Sequence, residues 1–210
     1  MNIKFRKYWR KTSLKKREDG NFLLEHIKKK APKNFLEVGV FHGVTSRNIC
    51  ELLNSIHGNS FKFTGIDLFL NDTNDFKDEI IPNTKFSNPL KTLYYKYIIR
   101  LDPYTIESVN KLLNKFKKNV KIIKGDSNII LKEINIKEFD YAFLDGGHKY
   151  TTVKNDLNSL SKIINNNGTI LCDDYNLTYA PGVKQAIDEF VSINKFKIEI
   201  LHSRFAEITK

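Results

Sequence analysis

Five short apolar runs, NFLEVGV (34–40), FKFTGID (61–67), VKIIKG (120–125), FDYAFLD (139–145) and GTILCDD (168–174), alternate with longer amphipathic stretches, and each run stops at glycine or an acid or one residue past one. Runs this short and this continuously apolar read as strands covered on both faces. The stretches between them read as helices: one capped by Thr45 or Ser46 and running to HGNS, then SNIILKEI, TTVKNDLNSLSKII and PGVKQAIDEFVSI. Phe22, Leu23, Leu24 and Ile27 mark another ahead of the first run, and NNNG (165–168) reads as a helix stop and turn. Such alternation demands a parallel sheet with right-handed crossovers. FKIEIL and RFAEIT, separated only by His202 and Ser203, should close the chain as a hairpin and add an antiparallel strand at one edge.

With 210 residues there is room for one domain with appendages. No apolar run approaches the ~18 residues that span a bilayer, and the basic start MNIKFRKYWRKTSLKKRE has no apolar run behind it, so no transmembrane segment or secretion signal is expected. Cys50 and Cys172 sit inside apolar patterns and read as buried thiols of a reducing, cytoplasmic compartment. Charge divides the chain: residues 1–33 carry +9 and the other 177 only +2. The first 33 residues are therefore a basic arm with the first helix, ahead of a domain over 34–210. The arm reads as a solvated lead-in, with docking to nucleic acid as the alternative.

Ligands of open parallel sheets bind beyond the carboxyl ends of the strands. There stand Glu37 and Gly39, then Asp67, Gly125-Asp126-Ser127, Asp145 and Asp173-Asp174. The turn EVGVFHG sets Gly39 and Gly43 four apart but has Phe41 and Val44 where a dinucleotide fingerprint needs glycine, so it offers no seat for a pyrophosphate. An acid at 37 suits a ligand carrying positive charge, and Asp67 can accept from ribose hydroxyls. Asp145, Asp173 and Asp174 crowd three carboxylates together, which requires something positive between them; an all-oxygen set suits Mg²⁺, Mn²⁺ or Ca²⁺. His148, three residues beyond Asp145, is a candidate base. The excess chain at about 68–103, with Phe69, Phe76, Phe86, Tyr94, Tyr95, Tyr97 and Arg100, reads as a substrate cover, or as a helix at a homodimer interface.

The stretches FLEVGVFHGVTS, TGIDLF, VKIIKGDSNIIL, FDYAFLDGGHKY and GTILCDDY resemble, in order and spacing, class I S-adenosylmethionine (SAM)-dependent methyltransferases, in particular small-molecule O-methyltransferases of the catechol and macrocin types. The resemblance covers about 34–191 and implies a Rossmann-like doubly wound sheet of seven strands, mostly parallel. It implies that Glu37 and Gly39 line the methionine end of SAM, that Thr45 or Ser46 holds its carboxylate, that Asp67 takes the ribose and Asp126 with Ser127 the adenine edge, and that Phe41, Gly43, Leu68, Gly125 and Asp145 lie alongside. It also implies a divalent cation, Mg²⁺ first, on Asp145, Asp173 and Asp174. The sequence departs from the catechol type in carrying His148 where that type has a lysine base, and Asp174 where it has asparagine. The expected activity is O-methylation of a small-molecule hydroxyl, on a sugar or phenol. A nucleic-acid-directed methyltransferase and a non-catalytic binding module using the basic arm are the alternatives.

Overall fold

A computed structural model describes residues 4–70, 83–134 and 138–210. Part of the expected insertion, 71–82 with Phe76, lies outside the described residues.

The strands are β1 (Asn34–Val38), β2 (Lys62–Asp67), β3 (Val120–Lys124), β4 (Phe139–Leu144), β5 (Ile164–Cys172), β6 (Lys197–Leu201) and β7 (Phe205–Thr209). They form one seven-stranded sheet in the order β3-β2-β1-β4-β5-β7-β6. The first five run parallel, β7 is antiparallel to β5, and β6 is antiparallel to β7. The reversed strand is therefore one place in from the edge, where the sequence suggested the edge itself. Burial explains the order: Phe205, Ala206 and Ile208 of β7 are buried, whereas β6 is mostly exposed and carries Lys197 and Glu199, charges that suit an unpaired edge.

The helices are α1 (Arg17–Lys30), α2 (Val44–His57), α3 (Pro89–Leu93), α4 (Ile106–Leu113), α5 (Ser127–Glu133), α6 (Tyr150–Ile163) and α7 (Pro181–Asn194). Successive strand residues point to opposite faces, and the core splits accordingly. Phe35, Phe63, Tyr141 and Phe143 pack with α1, α2 and α4, whereas Leu36, Ile66, Ala142 and Leu144 pack with α5, α6 and α7. Two local readings are corrected. α2 is capped by Gly43 in the left-handed region, without a side-chain cap from Thr45 or Ser46. NNNG lies inside β5, where the pairing jumps from Phe139↔Ile164 to Tyr141↔Thr169, so those residues form an irregular step in the strand.

The basic arm is not a solvated lead-in. Phe5 and Leu14 are buried, and the Phe5 ring fills the space a Cβ on Gly20 would need. Phe5 N–H donates to Asn21 Oδ1 (2.8 Å) and Arg6 N–H to Asn48 Oδ1 (2.9 Å), while Asn48 Nδ2 returns a bond to Arg6 O (2.8 Å). Arg10 is buried and donates to the carbonyls of His42, Pro103 and Ser108 and to Ser108 Oγ, at 2.9–3.2 Å. Cys50 and Cys172 are buried free thiols, as expected. Among the described residues no helix is long and apolar enough to cross a membrane.

Candidate active site

β1 lies between β2 and β4, so the connections leaving β1 and β4 diverge and open a crevice at their carboxyl ends. Two cavities adjoin there. One is lined by Lys11, Thr12, Ser13, Gly39, Val40, Phe41, His42, Val44, Thr45 and Asp145. The other is lined by Asp145, Gly146, Gly147, His148, Asp173 and Asp174 with Leu144, Val153, Cys172 and Val183. Asp145 is their common wall.

The turn after β1 is shaped by the joint it makes with β4. Gly39 has φ 95°, and a Cβ there would lie 2.0 Å from the carbonyl oxygen of Asp145. Any side chain would push the two strand ends apart. Phe41 also has positive φ (52°), and its N–H donates to Asp67 Oδ2 at 2.7 Å, which ties the turn to the end of β2. Of the two expected hydroxyls, Thr45 lines the first cavity, while Ser46 is buried and donates to Glu37 Oε2. Glu37 lies beneath the turn, fully buried, and its Oε1 has no hydrogen-bond partner among the described residues. Burial pushes its carboxyl up to about 8 against the Ser46 bond, with Asp67 adding to the rise. Near neutrality Glu37 is thus an uncharged acid, unlike the anion the sequence suggested.

Asp67 accepts from Phe69 N–H (2.8 Å) and Tyr104 O–H (3.0 Å) on Oδ1 and from Phe41 N–H on Oδ2. Burial raises its pKa, and these donors oppose the rise. Gly125 N–H bonds to Asp67 O (2.9 Å), bringing the β3 end alongside. There Asp126 caps α5 by accepting from Asn128 N–H at 2.8 Å, Ser127 opens the helix, and Leu68 is half-buried nearby in sequence.

The three carboxylates gather as expected, with one ligand atom from each within 4.8 Å of the others. The positive charge between them comes from Arg204, which sequence reasoning missed. Its Nε donates to Asp173 Oδ1, and its Nη2 donates to Asp173 Oδ2 (2.7 Å) and Asp174 Oδ1 (3.0 Å). His148 Nε2 lies 3.1 Å from Asp174 Oδ2, and Ser13 Oγ donates to Asp145 Oδ2 at 2.6 Å. Five of the six carboxylate oxygens therefore hydrogen-bond to protein groups. The set is chemically suited to a hard cation but is engaged by a guanidinium, which a cation would have to displace. Burial drives Asp173 up to about 6 although Arg204 opposes it, and burial with Asp173 and Asp174 raises Asp145 further. Asp174 has positive φ (63°), a left-handed conformation that Asp tolerates better than most residues.

Of the expected cover, Phe86 stacks on Tyr95 (5.1 Å) and meets the His42 ring edge-on (5.8 Å), while Leu90, Leu93, Tyr97 and Ile98 are exposed.

Residues 36–175 match the family described as a methyltransferase domain. No curated protein matches the chain by sequence. Among solved structures, the SAH-bound methyltransferase PaMTH1 of Podospora anserina aligns with TM-score 0.61 and 18% identity over 92% of this chain and 78% of that one. CalS11, a TDP-rhamnose 3′-O-methyltransferase of calicheamicin biosynthesis, aligns with TM-score 0.61 and 14% identity over 91% and 78%. The O-methyltransferase NovP gives 0.61 and 16% over 90% and 79%. At these identities the likeness establishes the fold.

Proposed function

The chain belongs to the methyltransferase-domain family, and from that membership we propose that it moves the methyl group of SAM to a hydroxyl oxygen of a small molecule, such as a sugar or phenol. The observation that carries the reading is the pair of cavities walled by Asp145, one against the β1 turn and the other against His148. The first suits SAM, because it is lined by the Asp145 carboxyl group and by the His42 ring, whose nitrogens have no hydrogen-bond partner among the described residues, and because its turn lacks the glycines of a dinucleotide fingerprint. Thr45, Asp67, Asp126 and Ser127 would hold the cofactor from the ends of three strands and the helices that follow them. When bound, SAM supplies a methyl on a sulfonium, an electrophile that needs no further activation.

The residues of the second cavity then have two tasks, aligning the acceptor oxygen and taking its proton. The contact between His148 Nε2 and Asp174 Oδ2 (3.1 Å) orients the imidazole, which is the group assigned to take the acceptor's proton. Gly146 and Gly147 beside it leave space for an acceptor. Because Arg204 already hydrogen-bonds Asp173 and Asp174, no step of this scheme runs through a divalent cation.

The test is SAM turnover with hydroxylated acceptors in the presence of a chelator. Conversion should persist in chelator, and His148→Ala should lower turnover by about 10² to 10⁴, with the loss shrinking at higher pH where the acceptor ionises unaided. Turnover that vanishes in chelator, or is untouched by His148→Ala, would overturn the scheme.

A further inference from the structure

On the premise that the first cavity holds SAM, we propose that Lys11–Ser13 of the N-terminal segment and the imidazole of His42 form the seat for the cofactor's amino-acid end, Lys11 Nζ and a His42 N–H receiving its carboxylate. Two observations carry this independently. The first is the course of the segment. Arg10 is fixed by its bonds to the carbonyls of His42, Pro103 and Ser108, and Leu14 is fully buried, so the three residues between are held over the cavity they line. Ser13 Oγ closes the span onto Asp145 at 2.6 Å, and Lys11 Nζ is steadied at the rim by Asn83 O at 2.6 Å.

The second is the state of His42. Its ring is fully buried, lines the same cavity, and among the described residues has no hydrogen-bond partner on either nitrogen. Phe41 (4.2 Å), Tyr104 (6.1 Å) and Phe86 (5.8 Å) surround it. A buried polar ring with both nitrogens idle is costly, and it is explained by a ligand that supplies the missing partner. Burial, then Arg10 and Lys11, pull its pKa down to about 3, so the ring is neutral and has one N–H to give. A cation at Lys11 and a carboxyl group at Asp145, both lining one cavity, match a ligand end that carries both a carboxylate and an ammonium. The basic arm thereby gains a role within the cofactor site.

The experiment is calorimetry on the full chain with two probes, S-adenosylhomocysteine and 5′-methylthioadenosine, the second lacking the amino-acid end. Lys11→Gln and His42→Phe, the latter keeping the aromatic packing, should each weaken S-adenosylhomocysteine about tenfold or more, as expected for losing a hydrogen bond to a charged group. Binding of 5′-methylthioadenosine should change by less than about twofold. Equal losses for both probes, or no loss for S-adenosylhomocysteine in the surface variant Lys11→Gln, would overturn the proposal. Failure of wild-type protein to bind either probe would instead sink the cofactor reading beneath it.

Discussion

Replacing Arg204 by glutamine is the sharpest perturbation of the acid cluster. The Asp173 and Asp174 side chains are only 0% and 10% exposed, against 23% for Arg204. The variant leaves two buried carboxylates facing Asp145 with no counter-charge, a change that costs about 3–5 kcal/mol when a buried ion pair loses one partner. The sign with pH is fixed. Burial already holds Asp173 at about 6 in the folded chain, above its ordinary 3.8, and without Arg204 it should rise further. A folded state that binds more protons than the unfolded one loses stability as pH rises, so the deficit should be largest near pH 8 and smaller near pH 5. Urea denaturation at both values measures it. The vacated cluster should then accept a hard cation, and Mn²⁺ at about one hundred times its dissociation constant should restore about 2.7 kcal/mol. Wild-type protein should gain nothing from Mn²⁺. A loss below about 1 kcal/mol, or Mn²⁺ stabilising wild type as much as the variant, would refute the argument that Arg204 stands in the cation's place.

Glu37 has a folded value of about 8 against an ordinary 4.5, so it draws stability down by up to about 1.4 kcal/mol per pH unit as pH rises between the two. In urea titrations, Glu37→Gln should gain on wild type across that window; parallel profiles would contradict the burial argument. Gly39→Ala, whose Cβ would meet the Asp145 carbonyl at 2.0 Å, should cost about 4 kcal/mol or more or fail to fold. A thermal midpoint within a few degrees of wild type would show that the β1–β4 joint is not tight. Asp67→Ala should weaken S-adenosylhomocysteine and 5′-methylthioadenosine alike by calorimetry, since both carry the ribose; selective loss of one would move Asp67 away from that role.

The parallel sheet was legible because NFLEV, FDYAFL and their counterparts are short, apolar on both faces and separated by helical stretches, a signal confined to neighbouring residues. Strand order at the far edge was less so, because the choice between β6 and β7 turns on how Phe205 and Ala206 pack across the sheet. That acids stand at or just beyond the carboxyl ends of the strands was legible because they close the apolar runs. Arg204 and Arg10 were not. Arg204 acts on Asp173 from 31 positions away, and Arg10 reaches Ser108 across 98, distances at which a basic residue in isolation reads as solvated. Glu37 was read as an anion because its burial beneath the turn, which makes it neutral, depends on α2 packing over β1.

The central claim is that the cavities sharing Asp145 are the cofactor and acceptor halves of one methyl-transfer site. A crystal structure of the chain with S-adenosylhomocysteine tests it most directly. The ligand should lie with its adenosyl part against Asp67 and Asp126, its amino-acid end against the β1 turn, and its sulfur facing the cavity of His148 across Asp145. Ligand bound away from the carboxyl ends of β1 and β2, or with its sulfur turned from His148, would contradict the account.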